Sequence, residues 1–159
     1  MAAGGRLVTG LLGTGGGAGP TDYKWTPGAG TVELNANNTL PTTVWTNFNN
    51  LTLSGATTTT LAANLAIVSN LVIGASAVMN LGAFANSTAN SLWFGGVQQA
   101  GGVWGAIGSA APNQNGLFSG SGLLTVTIVP EPTASALLGI FGALGGVTGL
   151  VRRRVRQNG

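Results

Sequence analysis

Hydrophobic and polar positions alternate in short runs between residues 21 and 128, and Gly, Asn or Ser separates one run from the next. Alternation with a period of two predicts β-strands that bury one face. The residues predicted to share a face are Val32 with Leu34, Leu51 with Leu53, Leu65 with Ile67, Leu71 with Ile73, and Leu124 with Val126 and Ile128. Because no segment before residue 134 has a helical period, the pattern predicts an all-β body.

A faint internal repeat with a spacing of twenty residues runs through this body. The matching positions are 50–56 (NLTLSGA) with 70–76 (NLVIGAS), Leu61 with Leu81, and, in a looser third copy, Asn90, Leu92 and Phe94. Twenty residues make about one coil of a parallel β-solenoid, in which like side chains stack on successive turns. Stacked asparagines can hydrogen-bond along such a column. The repeat therefore favours a short parallel β-helix or solenoid-like body; a β-sandwich, which also uses strands at short regular spacing, is the alternative.

The segment 134–151 (ASALLGIFGALGGVTGLV) contains no charged residue. As a helix rising ~1.5 Å per residue it would span about 27 Å, close to the hydrocarbon thickness of a bilayer. The competing interpretation is a buried helix of a soluble protein. In such a helix each of the five glycines would cost ~1 kcal/mol, whereas membrane helices carry glycine more often. A basic cluster follows at once, as expected at a cytoplasmic membrane boundary, and consists of Arg152, Arg153, Arg154 and Arg156. We therefore expect a single C-terminal transmembrane helix.

A stiff extended segment precedes this span, because Pro130 and Pro132 flank Glu131 and neither proline can join a helix or a central strand. The order of these features, from Val129 to Arg156, closely resembles the PEP-CTERM sorting signal of certain Gram-negative bacteria. The resemblance implies export, a transient stay in the inner membrane, and cleavage by an exosortase that recognises the residues of this element, Val129, Pro130, Glu131 and Pro132. It further implies display at the cell surface or in an extracellular matrix or biofilm, with exopolysaccharide as a further partner.

The chain accordingly divides into five segments. These are a glycine-rich leader predicted to be disordered (1–20), the β-rich passenger body (21–128), the Pro-Glu-Pro linker (129–133), the transmembrane helix (134–151) and a basic cytoplasmic tail (152–159). The apolar stretch 7–12 in the leader is shorter than a secretory signal core and is broken by Gly10. We therefore expect the true signal to lie upstream of the first residue; the alternative is that the sequence is a fragment. The span contains two small-xxx-small pairs, Gly142 with Gly146 and Gly145 with Gly149. Such pairs could let two helices approach closely, or they could arise by chance in a segment with so many glycines.

Charged residues make up only 6% of the chain, and none lies between residues 34 and 130. The basic pI of 10.8 comes from the terminal arginines. Binding to nucleic acid needs several cations spread over one face, so we predict no nucleic-acid binding. With no histidine or cysteine, the sequence predicts no thiolate or metal site and no cofactor. Three carboxylates remain, of which Asp22 and Glu33 are expected outside the folded bulk, so we predict no catalytic residue and no enzyme activity.

The glycine-rich segments 101–105 (GGVWG) and 118–126 (FSGSGLLTV) add a second resemblance. They are similar to the closing stretch of passengers with autotransporter-type β-strand repeats, which implies a β-helical passenger over residues 30–128. Nearby, Trp93, Phe94 and Trp104 are interpreted as residues that fill or cap the end of the core, since large aromatic side chains dominate packing. The alternative is a stacking platform for sugars made by Trp93 and Trp104.

Three functional hypotheses follow. The leading one is an exported structural or matrix protein, and the second is an adhesin or carbohydrate-binding surface module with exposed Trp93 and Trp104. The third, an extracellular hydrolase, requires two or more acidic groups converging on one groove, which this body does not offer.

Overall fold

The computed structural model describes residues 4–10, 12, 28–40, 45 and 47–128, which form strands, turns and loops but no helix. The strands are β1 (Arg6–Thr9), β2 (Thr31–Leu34), β3 (Asn38–Leu40), β4 (Asn47–Phe48), β5 (Asn50–Leu53), β6 (Thr58–Leu61), β7 (Ala66–Ile73), β8 (Val78–Asn80), β9 (Ser87–Phe94), β10 (Val97–Gln98), β11 (Gly102–Gly105), β12 (Asn113–Gln114), β13 (Phe118–Ser119) and β14 (Leu124–Val126). The all-β prediction is confirmed for this part of the chain.

The strands wind into a parallel β-solenoid of about three turns with three faces. Face A consists of β1, β2, β5, residues 70–73 of β7 and residues 91–94 of β9, all paired in parallel. Face B consists of β3, β6, β8 and β13, and face C of β4, residues 66–67 of β7, residues 87–89 of β9 and β14. A register shift within β7, between Ile67 and Asn70, lets this strand serve face C first and face A afterwards. The solenoid is thus confirmed over the sandwich alternative.

One continuous core fills the solenoid, because every second side chain of each face points to the same side of its strand. On face A the register aligns Val32, Leu51, Leu71 and Leu92, none of which is more than 2% exposed. Burying one such side chain contributes about 1.5–3 kcal/mol relative to leaving it exposed, so each buried position in this column stabilises the fold. The other faces add apolar side chains at 3% exposure or less: Leu40, Leu61, Met79 and Phe118 from face B, and Phe48, Ile67, Ala89, Leu124 and Val126 from face C.

The twenty-residue repeat corresponds to one coil of the solenoid. Leu51 pairs with Leu71 at the predicted spacing of twenty, and Leu71 pairs with Leu92, so the apolar places of the third copy are also confirmed. The third copy is one residue longer, however, and Asn70 therefore pairs with Ser91 rather than with the predicted Asn90. A turn of nineteen residues, which joins Val32 to Leu51, precedes these copies.

The end of the solenoid that follows β9 is closed by a segment that leaves the parallel winding. Gly95 and Gly96, with φ of +54° and +88°, form a two-residue turn that brings β10 back antiparallel to β9. Positive φ at both central residues defines the hairpin turn whose twist matches that of its strands. Further along, β11 runs antiparallel to β14 and parallel to β12, before β13 and β14 resume faces B and C.

Several predictions differ from the structure or fall outside it. Four residues of the predicted disordered leader form β1, which pairs with β2 in parallel. Glu33, expected outside the folded bulk, lies within β2 at 8% exposure, and Ile128 is 41% exposed although it was grouped with the buried Leu124 and Val126. The chain divides into two compact units, Met1–Val129 and Pro130–Gly159, and the predicted transmembrane helix belongs to the second unit, outside the described residues. Within the described ranges, no helix has the length and hydropathy needed to cross a membrane.

Candidate functional site

The predicted sorting and membrane residues all lie outside the part of the chain that the structure describes. They are Val129, Pro130, Glu131 and Pro132 of the recognition element, Gly142, Gly145, Gly146 and Gly149 of the helix-packing pairs, and Arg152, Arg153, Arg154 and Arg156 of the basic cluster. These residues stay predictions.

The two tryptophans of the predicted sugar platform occupy different environments. Trp104 is 7% exposed, lies edge-on to Phe94 with ring centroids 5.5 Å apart, and donates its indole N–H to the Ala100 carbonyl at 2.9 Å. Phe94 in turn contacts Phe118 at 5.7 Å, so three aromatic rings pack at the end of the core. Trp93 is half-buried on face A. Because Trp104 is buried, the two indole rings do not form a common exposed stacking surface.

A ladder of side-chain hydrogen bonds runs along face A from the first coil to Trp93. Asn50 donates through Nδ2 to the Gly30 carbonyl at 3.3 Å, and Asn70 donates through Nδ2 to Asn50 Oδ1 at 2.9 Å. Ser91 Oγ donates to Asn70 Oδ1 at 2.6 Å and accepts the indole N–H of Trp93 at 2.9 Å. This ladder fixes the coils in register, because each amide bonds the coil before it and the coil after it.

The described part of the chain contains one carboxylate, Glu33, and one cation, Arg6, and the two form an ion pair. Arg6 Nε donates to Glu33 Oε2 at 2.8 Å, and a second guanidinium nitrogen, Nη2, contacts the same oxygen. Ser54 Oγ donates to the other carboxylate oxygen at 2.7 Å. The Ser54 hydroxyl and the Arg6 guanidinium lower the pKa of Glu33 below its ordinary value, against a smaller opposing effect of burial. The group is thus held ionised and joins β1, β2 and the turn after β5.

A shallow cleft on face B, which we name the Asn/Thr cleft, is lined by Asn37, Asn38, Thr39, Thr58 and Thr60. Its volume is about 480 Å³. All five side chains are amides or hydroxyls, so the cleft offers neutral hydrogen-bond donors and acceptors without a formal charge.

Sequence reasoning missed both the Glu33 cluster and the Asn/Thr cleft. Arg6 and Glu33 are 27 residues apart, and Thr39 and Thr60 of the cleft are 21 residues apart, so only the winding of the coils brings each pair together. The sequence feature that indicates the cleft is the Thr-rich segment 57–60, because alternate residues of a strand share one face. Among the described residues no group of three or more acidic, histidine or cysteine side chains could hold a metal ion.

The fold defines this chain as a parallel β-solenoid protein. No known family model matches it, and neither a curated protein nor a solved structure is significantly similar to it.

Proposed function

We propose that the chain is an exported structural protein of the cell surface or extracellular matrix, sorted through a C-terminal PEP-CTERM signal that an exosortase processes. In this proposal the β-solenoid is the displayed passenger, and residues 134–151 are a temporary anchor in the inner membrane. The body carries no catalytic activity, cofactor or metal, and it does not bind nucleic acid.

One observation carries this proposal: a Pro-Glu-Pro element, a charge-free span and an arginine cluster follow one another in residues 130–156. An eighteen-residue apolar stretch is long enough to cross a bilayer, and arginines after it hold the following segment on the cytoplasmic side. The restricted backbone of Pro130 and Pro132 favours an extended conformation at Glu131, a form in which a processing enzyme could bind it just outside the membrane.

The surface of the body supports a role in a matrix. Arg6 and Glu33 are the charged residues of the described part, and they neutralise each other. A large net charge keeps proteins apart, so a body without one meets little electrostatic repulsion when copies pack together. The burial of Trp104 in the aromatic end of the core counts against the adhesin alternative in the form that uses both tryptophans.

The test is to express the full chain behind an upstream signal peptide in two hosts that differ only in the presence of an exosortase. Mass spectrometry of the material released from the surface then reads the C-terminus of the product. We expect a product that ends near Pro132 only where the enzyme is present. A full-length product in both hosts would refute the sorting proposal.

Matched variants separate recognition from general misfolding. The double substitution Pro130→Ala with Pro132→Ala removes the stiff element and is expected to abolish processing. Pro112→Ala changes an exposed proline within the body and is expected to leave processing unchanged. Equal processing of both variants would show that the element is not recognised.

A further inference from the structure

The turn that joins β12 to β13 contains an Asn-Gly step, Asn115–Gly116. The Phe118 backbone N–H donates to the Asn115 carbonyl at 3.1 Å, which closes a β-turn over these residues. The Asn115 backbone N–H donates to the Gly105 carbonyl at 3.1 Å, so the turn is tied to the end of β11. Among the described residues, no other asparagine is followed by a glycine.

The backbone nitrogen of Gly116 is open to solvent and unpaired. Gly116 is exposed, and its N–H donates to no acceptor among the described residues. Hydroxide can therefore reach this N–H and remove its proton. Since glycine has no Cβ, no side chain beside the nitrogen hinders its approach to a neighbouring carbonyl carbon.

The Asn115 side chain is folded toward the same peptide unit. Its Oδ1 accepts the Leu117 backbone N–H at 2.9 Å, and Gly116 lies between the two bonded residues. A donor on this oxygen stabilises the negative charge that develops there when a nucleophile adds to Cγ. The Nδ2 group makes no hydrogen bond within the described part of the chain, so nothing there holds it as a leaving group.

We propose that Asn115 is a site of spontaneous deamidation, at which the Gly116 backbone nitrogen converts the side-chain amide to a carboxylate. The deprotonated nitrogen attacks Asn115 Cγ, the new N–Cγ bond closes a five-membered succinimide, and the Cγ–Nδ2 bond breaks. The nitrogen that leaves takes up a proton from water and departs as ammonia. A second water molecule opens the ring at one of its two carbonyls and gives aspartate or isoaspartate. This site does not depend on the proposed sorting function, since it uses only residues of the body.

The reaction changes the closed end of the solenoid. Either product adds a carboxylate to a body whose other described charges, Arg6 and Glu33, neutralise each other. Isoaspartate also passes the backbone through the side-chain methylene, which lengthens the turn by one atom between its bonds to Gly105 and from Phe118. Because Phe118 is 3% exposed and packs on Phe94 with ring centroids 5.7 Å apart, the longer turn is expected to loosen the aromatic end of the core.

The test follows the full-length chain in dodecylphosphocholine at neutral pH over several weeks. Chymotrypsin cleaves after Trp104 and Phe118, so residues 105–118 (GAIGSAAPNQNGLF) form a fragment separate from the other Asn-Gly step, 158–159. Tandem mass spectrometry then locates each conversion from amide to acid. Asn113 is the internal control, because it lies in β12 and its Nδ2 donates to the Val103 carbonyl at 3.2 Å. We expect conversion at Asn115 at a rate within about tenfold of the same synthetic peptide, and none at Asn113. A rate at Asn115 more than about tenfold below that of the peptide would overturn the proposal, because the fold would then protect the amide.

One variant tests the role of the glycine without disturbing the turn. Gly116 does not have a positive φ, and a Cβ placed on it would lie 3.7 Å from Ile107 Cδ1, an ordinary contact. Gly116→Ala should therefore keep the urea midpoint of the wild type while slowing conversion at Asn115 about tenfold, since the added methyl group hinders the attack. An unchanged rate in this variant would refute the Gly116 nitrogen as the nucleophile.

A second variant separates the effect of the charge from that of the longer backbone. Asn115→Asp adds the carboxylate without the extra atom. Wild-type chain that has converted to isoaspartate is expected to unfold at a lower urea concentration than Asn115→Asp. Equal midpoints would show that the lengthened turn does not loosen the end of the core.

Discussion

The hydrogen-bond ladder on face A predicts that Asn70 stabilises the body more than its half-buried position suggests. Asn70→Ala removes the donor to Asn50 Oδ1 and the acceptor for Ser91 Oγ, whose bond lengths are 2.9 and 2.6 Å. It leaves the apolar columns of Leu51 and Leu71 in place, so the perturbation is confined to the ladder.

The magnitude follows from these two bonds. A neutral hydrogen bond contributes about 0.5–1.5 kcal/mol net, so two of them amount to about 1–3 kcal/mol. Ser91 is 4% exposed and would lose the acceptor of its hydroxyl proton, which places the expected loss above the lower end of this range, at about 2 kcal/mol. Asn50 Oδ1 keeps one partner, the backbone N–H of Asn70 at 3.3 Å, which limits the loss.

Urea unfolding of the full-length chain, followed by tryptophan fluorescence, measures this difference in the free energy of unfolding. Asn64→Ala is the matched control, because the bond that the Asn64 side chain accepts within the described part of the chain, from the backbone N–H of Asn86 at 3.0 Å, is exposed. The control is expected to lose no more than about 0.5 kcal/mol. A double-mutant cycle with Ser91→Ala should give a coupling of about 1 kcal/mol. If Asn70→Ala costs no more than the control, or if the coupling is zero, the ladder does not stabilise the coils.

Two further predictions concern Glu33 and the glycines of the turns. The pKa of Glu33 is held below its ordinary value of 4.5, so the stability that its carboxylate contributes is present above pH 4.5 and is lost as the pH falls through the lower pKa of the folded state. The difference in unfolding free energy between the wild type and Glu33→Gln should therefore shrink from pH 6 to pH 3, and a constant difference would contradict this account. Gly96→Ala places a side chain at φ +88° in open space and is expected to cost about 1–2 kcal/mol. Gly120→Ala combines φ +81° with a Cβ only 2.6 Å from the Gly82 carbonyl oxygen, so its urea midpoint should fall much further, and equal midpoints would refute the steric argument.

The strands of the body and their winding into coils could be predicted from the sequence, because the alternation of apolar residues and the spacing of the repeat set them. Alternation placed Leu51 with Leu53 and Leu71 with Ile73 on buried faces, and their exposure of 0% confirms it. The spacing of twenty residues predicted which coils stack, since a residue in a solenoid meets its counterpart one coil away. The sorting function proposed for the C-terminal segment also rests on the sequence alone.

The tertiary structure decided which side chains meet, because the coils differ in length. Successive turns of 19, 20 and 21 residues join Val32, Leu51, Leu71 and Leu92, so a fixed period misplaces the polar residue of the third copy. The ion pair of Arg6 with Glu33 arises because β1 stacks on β2 at a spacing of 25 residues, which no repeat indicated. In a chain with so few charges, alternation determines which residues turn inward, but only the register between coils determines what each polar side chain touches.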